Sequence, residues 1–197
     1  MAVFYVLHIK DRRLSDCVEA IRFLSDPQEK HRAHITVRGP YEKRIDISNL
    51  NRLIAGDVVA IDRVGNFFDA GQNTVYFACS SKELGRVWKK KDYPFNPHIT
   101  LYDSGSSEFA RRLYEVLSKY KYNVSFRVDQ LEPIEWKKGQ KSFSLGWAFN
   151  SGLVSRVAKQ RVQLNCVRRL TEERRLEIID RLCRYLSTFS RQQPLFS

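Results

Sequence analysis

The sequence predicts an α+β protein of two pseudo-symmetric lobes of antiparallel β-sheet with flanking helices, followed by a helical C-terminal extension. Three observations predict it. Strand-like and helix-like stretches are mixed along residues 1–150, and several of the strands read as hairpins. A short pattern, His-x-Thr followed by an aliphatic residue, occurs at His34-Ile35-Thr36-Val37 and again at His98-Ile99-Thr100-Leu101. Beyond Asn150-Ser151-Gly152 the chain turns strongly basic, so residues 1–150 are read as one bilobal domain and 151–197 as an extension.

Each element has a local reason. Val3 to Ile9 is β-branched and aromatic enough for a strand; it lacks a basic leader and a small-residue cleavage site, so it reads as structure and not as a signal peptide. Ser15 or Asp16 can cap a helix whose apolar side is Val18, Ile21 and Phe23-Leu24, ending near Asp26-Pro27. The first His-x-Thr strand stops at Arg38-Gly39-Pro40. A short helix opens at Asp46 or Ser48 and closes at Gly56, and strands follow over 57–68 and 74–80 around a turn at 69–73. Lys82 to Lys90 suits a short helix leading into the second His-x-Thr strand. Phe109, Leu113, Val116-Leu117 and Tyr120 then keep a helical spacing. Residues 123–136 and 141–147 read as a hairpin turned at Lys137-Lys138-Gly139-Gln140. In the extension, residues 153–170 fit either helix or strand. Thr171 caps a helix with Glu172 and Glu173 in its first turn and Leu176, Ile179, Leu182-Cys183 and Leu186 as its stripe.

The paired pattern carries the functional signal. Side chains alternate faces along a strand, so His34 and Thr36 stand together above a core face made by Ile35 and Val37. His98 and Thr100 do the same above Ile99 and Leu101. With four His and five Thr in 197 residues, about 0.1 such triplets are expected by chance, and two are present. They lie 64 residues apart, and the same gapless offset sets Leu53 on Leu117, Arg63 on Arg127 and Val64 on Val128. An internal duplication accounts for this, each half supplying one imidazole and one hydroxyl.

Composition narrows the ligand. The net charge is +12, of which residues 151–197 hold +6, and it favours an anionic ligand such as nucleic acid or a phosphorylated molecule. The four cysteines (Cys17, Cys79, Cys166, Cys183) are scattered without a Cys-x-x-Cys. They read as reduced thiols of a cytoplasmic protein and give no zinc site. No apolar run approaches a membrane span.

The paired His-x-Thr strands in duplicated halves resemble the 2H phosphoesterase superfamily, which includes the RNA 2′,3′-cyclic phosphodiesterases once called 2′-5′ RNA ligases. The resemblance covers roughly residues 1 to 150. It implies a groove between two lobes, with His34 and His98 as catalytic residues and Thr36 and Thr100 as hydrogen-bond donors to the substrate phosphate, and neither metal nor other cofactor. The family usually assigns the acid to the first His and the base to the second. The chain departs from the best-known RNA members after each motif, where Arg38-Gly39-Pro40-Tyr41 and Tyr102-Asp103 stand and a basic residue is missing after the second.

The chemistry fits independently. Cleaving a phosphodiester needs a base, an acid and donors to the phosphoryl oxygens, and two imidazoles can hold opposite protonation states near neutral pH. Arg38 is a further candidate phosphate ligand, and Tyr41, Tyr93, Phe95 and Tyr102 are candidate base-stacking rings. His8 and His31 lack a companion Thr and read as structural; Lys89-Lys90-Lys91 and Lys137-Lys138 read as solvated loops, and Trp88, Trp136 and Trp147 as packing anchors. The expected activity is a phosphodiesterase on RNA ends or small nucleotides with 2′,3′-cyclic or 2′-linked phosphates. The alternatives are degradation of signalling oligonucleotides (2′,5′-oligoadenylate or cyclic oligonucleotides) and a non-catalytic RNA-binding module. The basic extension is a candidate contact for nucleic acid or a protein.

Overall fold

Arg12–Ser25 forms α1 because Asp11 accepts a hydrogen bond from the Leu14 N–H at 2.8 Å and caps the helix. The cap therefore lies earlier than the expected Ser15 or Asp16, and Leu14 and Cys17 join the buried face. The computed structural model describes residues 2–28, 32–89, 94–136 and 167–189. Ahead of α1 runs β1 (Ala2–His8), and after it β2 (His34–Tyr41), paired antiparallel to β1. Then come α2 (Ser48–Ile54), β3 (Val58–Asn66), a 3-10 turn at Phe68–Ala70, and β4 (Thr74–Ser81). The helix expected over 82–90 shrinks to α3 (Leu84–Val87), since Trp88 turns extended and the Lys89 N–H bonds the Val37 carbonyl of β2 at 3.3 Å. The second motif forms β5 (His98–Asp103), followed by α4 (Ser107–Ser118), capped by Ser106.

All the described strands join one antiparallel sheet. With β6 (Val124–Arg127) and β7 (Glu132–Trp136) its order is β6-β3-β4-β5-β2-β1-β7. The two lobes are thus β3 to β6 on one side and β1, β2 and β7 on the other, meeting where β2 pairs β5. The single strand expected over 123–136 is two strands at opposite ends of the sheet. The cause is local: the Val128 N–H and carbonyl bond the backbone of Asp57 and Gly56, both at 2.9 Å, while the Leu131 N–H bonds Asn51 Oδ1 at 2.8 Å. These contacts to the end of α2 and the chain after it turn the strand away from β6. The proposed 141–147 strand and the 150–152 boundary lie outside the described residues.

The lobes therefore exchange segments. The third strand of the first half, β3, belongs to the second lobe, and β7 of the second half completes the first. Glycine makes one close approach possible: Gly39 has φ +111°, and a Cβ there would sit 2.7 Å from the Val3 carbonyl oxygen.

The helix expected after Thr171 forms as α5 (Glu172–Ser187), with the Thr171 hydroxyl accepting from the Arg174 N–H at 3.3 Å. It packs against both α1 and α4, burying Leu176, Ile179, Leu182, Cys183 and Leu186 in the common core. Arg175 fastens the three helices together. Its guanidinium donates to the carbonyls of Leu24 and Ser25 at 2.9 and 3.1 Å, at the electronegative end of α1, and lies 4.7 Å over the Phe109 ring of α4. Arg112–Glu173 and Lys119–Asp180 add pairs from α4 at 3.2 and 3.5 Å. Described this way, α5 is a packing element of the core. Cys17, Cys79 and Cys183 are buried free thiols, with pKa values pushed upward by that burial, to about 12 for Cys183. Among the described residues, no helix is long and apolar enough to cross a membrane.

Candidate active site

The alternation expected of both motifs is present. In β2 residues Ile35, Val37 and Gly39 are buried while His34, Thr36 and Arg38 are half-buried; in β5 Ile99 and Leu101 are buried while His98 and Thr100 are half-buried. Ile35 pairs with Ile99 across the lobe junction. Extending that antiparallel register one residue each way sets Thr36 opposite His98 and His34 opposite Thr100. The two imidazoles and two hydroxyls thus occupy the corners of one small quadrilateral, the histidines on one diagonal and the threonines on the other.

The two imidazoles are oriented by the same device. His34 Nδ1 lies 2.7 Å from the Arg32 carbonyl oxygen, and His98 Nδ1 lies 2.7 Å from that of Asn96. A carbonyl can only accept, so each Nδ1 carries hydrogen and each Nε2 is the nitrogen that gains and loses a proton. Both rings therefore present the same reactive atom.

Beyond the quadrilateral the register continues on both sides. Row by row, His8 and Val6 of β1 flank His34 and Thr36, while Ala78 and Tyr76 of β4 flank His98 and Thr100. The His8 ring stands edge-on to His34 with centroids 6.1 Å apart. Burial lowers the His8 pKa below the ordinary imidazole value, against the opposing pull of the Ala33 carbonyl and Glu132. His98 instead meets aromatic rings: Tyr76 at 4.8 Å and Phe67 edge-on at 5.5 Å. Gly65, opposite Tyr76 in β3, makes room for this wall; a Cβ there would lie 2.4 Å from the tyrosine ring.

A cavity of about 420 Å³ opens beside the second motif, lined by His98 and Thr100 together with Phe67, Gln72, Trp88 and Asn96 among others. Its size suits a nucleotide-sized ligand. Arg38, on the first lobe, does not line this cavity; its Nε donates to the Val87 carbonyl at 2.6 Å, next in the chain to the lining residue Trp88.

The aromatic candidates divide. Phe95 is exposed and meets Trp88 edge-on at 5.3 Å, at the cavity side. Tyr41 packs edge-on against the buried Tyr5 at 6.0 Å, and Tyr102 is buried against Phe109 with its hydroxyl accepting from the Ser106 N–H at 3.1 Å. Both rings are engaged in packing and neither lines the cavity; the β1–β2 ladder shifts register before Tyr41, and the β4–β5 ladder between Thr100 and Tyr102. Tyr93 and His31 lie outside the described residues, as do Lys90, Lys91, Lys137, Lys138, Trp147 and Cys166. Sequence reasoning missed Phe67 and Tyr76 as site residues, and read Trp88 first as a packing anchor.

No curated protein matches the chain. A family model described as the 2′-5′ RNA ligase superfamily matches residues 10–140, about two thirds of the 197 residues and a span that contains both motifs. That match agrees with an antiparallel sheet whose two motif strands meet side by side, and the chain belongs to the 2′-5′ RNA ligase superfamily.

Proposed function

We propose that the protein is a metal-independent phosphodiesterase acting on RNA ends or small nucleotides that carry 2′,3′-cyclic or 2′-linked phosphates. The observation that supports it most is the Ile35–Ile99 register, which sets two similarly oriented imidazoles diagonally across two threonines. In this reading one neutral Nε2 takes a proton from water as the water oxygen bonds to phosphorus. The other, as imidazolium, gives its proton to the ribose oxygen as the P–O bond breaks, leaving a phosphomonoester and a hydroxyl. Thr36 and Thr100 donate hydrogen bonds to the non-bridging oxygens, where negative charge grows, and Arg38 adds positive charge at the cavity side. The aromatic lining beside His98 favours a nucleobase in the cavity, with Phe67, Trp88 and Phe95 available to meet its faces.

The test is purified full chain with EDTA and a panel of 2′,3′-cyclic-phosphate RNA, 2′,5′-oligoadenylate and cyclic dinucleotides. Turnover of the cyclic-phosphate RNA, lost in His34→Ala and in His98→Ala, is the expected result. Turnover confined to the signalling oligonucleotides would move the substrate, and loss on chelation restored by a divalent metal would end the two-histidine mechanism.

A further inference from the structure

A buried carboxyl on the helix side of the sheet reaches the first motif through one peptide unit. Glu19 of α1 is 5% exposed, and its Oε1 accepts from the Ala33 N–H at 2.8 Å. That N–H belongs to the same amide as the Arg32 carbonyl, the group that receives the His34 Nδ1–H at 2.7 Å. We infer that Glu19 is a positioning residue for His34, acting through the Arg32–Ala33 amide to fix the ring and to raise its affinity for a proton.

The physics is hydrogen-bond cooperativity. A carboxylate pulling on an amide N–H shifts electron density towards the carbonyl oxygen of that amide, and bonds in such a chain strengthen one another. A stronger acceptor at Nδ1–H favours the imidazolium. The arrangement is a carboxylate–histidine pair with one amide inserted between its members, and carboxylates behind a histidine are known to orient the ring and stabilise its cation.

The second motif lacks this device. His98 Nδ1 faces the Asn96 carbonyl, but the following residue is Pro97, whose nitrogen carries no hydrogen. No carboxyl can act there in the same way, so the proton held between the two rings is biased towards His34.

The charge around Glu19 fits such a role. Burial pushes its pKa up to about 7, against the pull of the Ala33 N–H and of Arg22 and Arg32, and with Asp16 adding to the rise. Arg32 Nε lies 3.8 Å from Oε1. From β1, His8 bonds the Ala33 carbonyl at 3.2 Å, and Lys10 and Glu132 stand behind His8. From α5, Arg175 bonds the Leu24 and Ser25 carbonyls at the end of α1. Glu19 therefore exchanges its proton in the range where imidazoles work, and protonation of His34 favours the ionised carboxylate.

This inference rests on the proposed reaction for its catalytic meaning, and its test is read on the ligand-free full chain. Histidine ring signals are followed by NMR through a pH titration in Glu19→Gln, Ala33→Pro and the double variant. Glutamine keeps an acceptor for the Ala33 N–H while removing the charge; proline removes the N–H and copies the amide found at Pro97. Each single variant is expected to lower the His34 midpoint and leave His98 in place, and the second change is expected to add nothing to the first. With substrate, kcat is expected to fall about 10-fold with KM little changed. An unmoved His34 midpoint in either folded variant, equal movement of His34 and His98, or additive effects would overturn the inference. If Glu19→Gln does not fold, Ala33→Pro alone decides it. Absence of turnover on the whole substrate panel would remove the proposed reaction while leaving the titration result to stand or fall by itself.

Discussion

The two halves of the site begin identically and end differently. Each supplies a His and a Thr on adjacent strands, and each holds Nδ1 at 2.7 Å from the carbonyl two residues earlier. Around His34 the neighbours are polar or charged: His8, Arg32, and Glu19 behind the Ala33 amide. Around His98 they are rings, Tyr76 and Phe67, with Trp88 across the cavity. The quadrilateral tolerates little change because displacing a reacting group by an ångström removes its use. The flanking strands carry no such restriction, so β1 and β4 diverged. In the proposed reaction the first side would govern a proton, and the second would offer its rings to a flat ligand.

The largest expected effect removes the shared part. His34→Ala and His98→Ala should each lower kcat by about 10²–10⁴-fold or more, measured under single turnover with circular dichroism unchanged. A variant at wild-type rate would show that the halves are not an acid–base pair.

Next comes the helix common to both lobes. Leu182→Ala empties a fully buried position in α5, and such truncations cost about 2–5 kcal/mol. Because α5 packs on α1 and α4 together, urea unfolding should remain a single transition at a lower midpoint. Two separated transitions would mean that each lobe stands alone. Deleting residues 167–197 should accordingly produce aggregation, seen by gel filtration, before any change in RNA affinity can be read.

Smaller effects sharpen the contrast between the halves. Thr36→Ala and Thr100→Ala each remove one hydrogen bond and no proton carrier, and each should cost roughly 10-fold, about 1.4 kcal/mol. Gly65→Ala should lower kcat as well as nucleobase binding, since its methyl drives out of place the Tyr76 ring that packs on both His98 and Phe67.

The smallest effect concerns stability against pH. The folded pKa of Glu19, about 7, stands above its ordinary 4.5, so between these values the folded chain binds more protons than the unfolded one. The stability this contributes is fully present below the ordinary value and is lost as pH rises through about 7. Denaturant midpoints of wild type and Glu19→Gln should therefore diverge in favour of glutamine across that window. Parallel curves would show that the carboxyl is ionised throughout.

The motif quadrilateral was legible because strand period and duplication act over a few residues: His34-Ile35-Thr36 declares its faces without tertiary help. The helix capped by Thr171 was legible for the same reason. Phe67 and Tyr76 were not, since their place beside His98 follows from the β3–β4 and β4–β5 registers, and no local signal encodes a register between distant strands. Tyr102 shows the converse. It adjoins the motif in sequence, yet the turn after β5 ties its hydroxyl to Ser106 and buries the ring. Residues 123–136 carried a continuous strand-like composition, but contacts from Asn51, Gly56 and Asp57 break it in two.

The exchange of strands between lobes has a consequence for the newborn chain. One edge of β1 finds β2 early, but its other edge pairs only with β7, so Val3 waits for Glu135 to be synthesised. Until then a short apolar strand offers its unpaired N–H and C=O groups to any other chain nearby. Contacts so distant along the chain also make closing the sheet slow, because the intervening loop must be ordered first. Completion of the first lobe is thus tied to the end of the second half of the domain, and the sheet that carries the motif pair is complete only in a chain finished almost to residue 136.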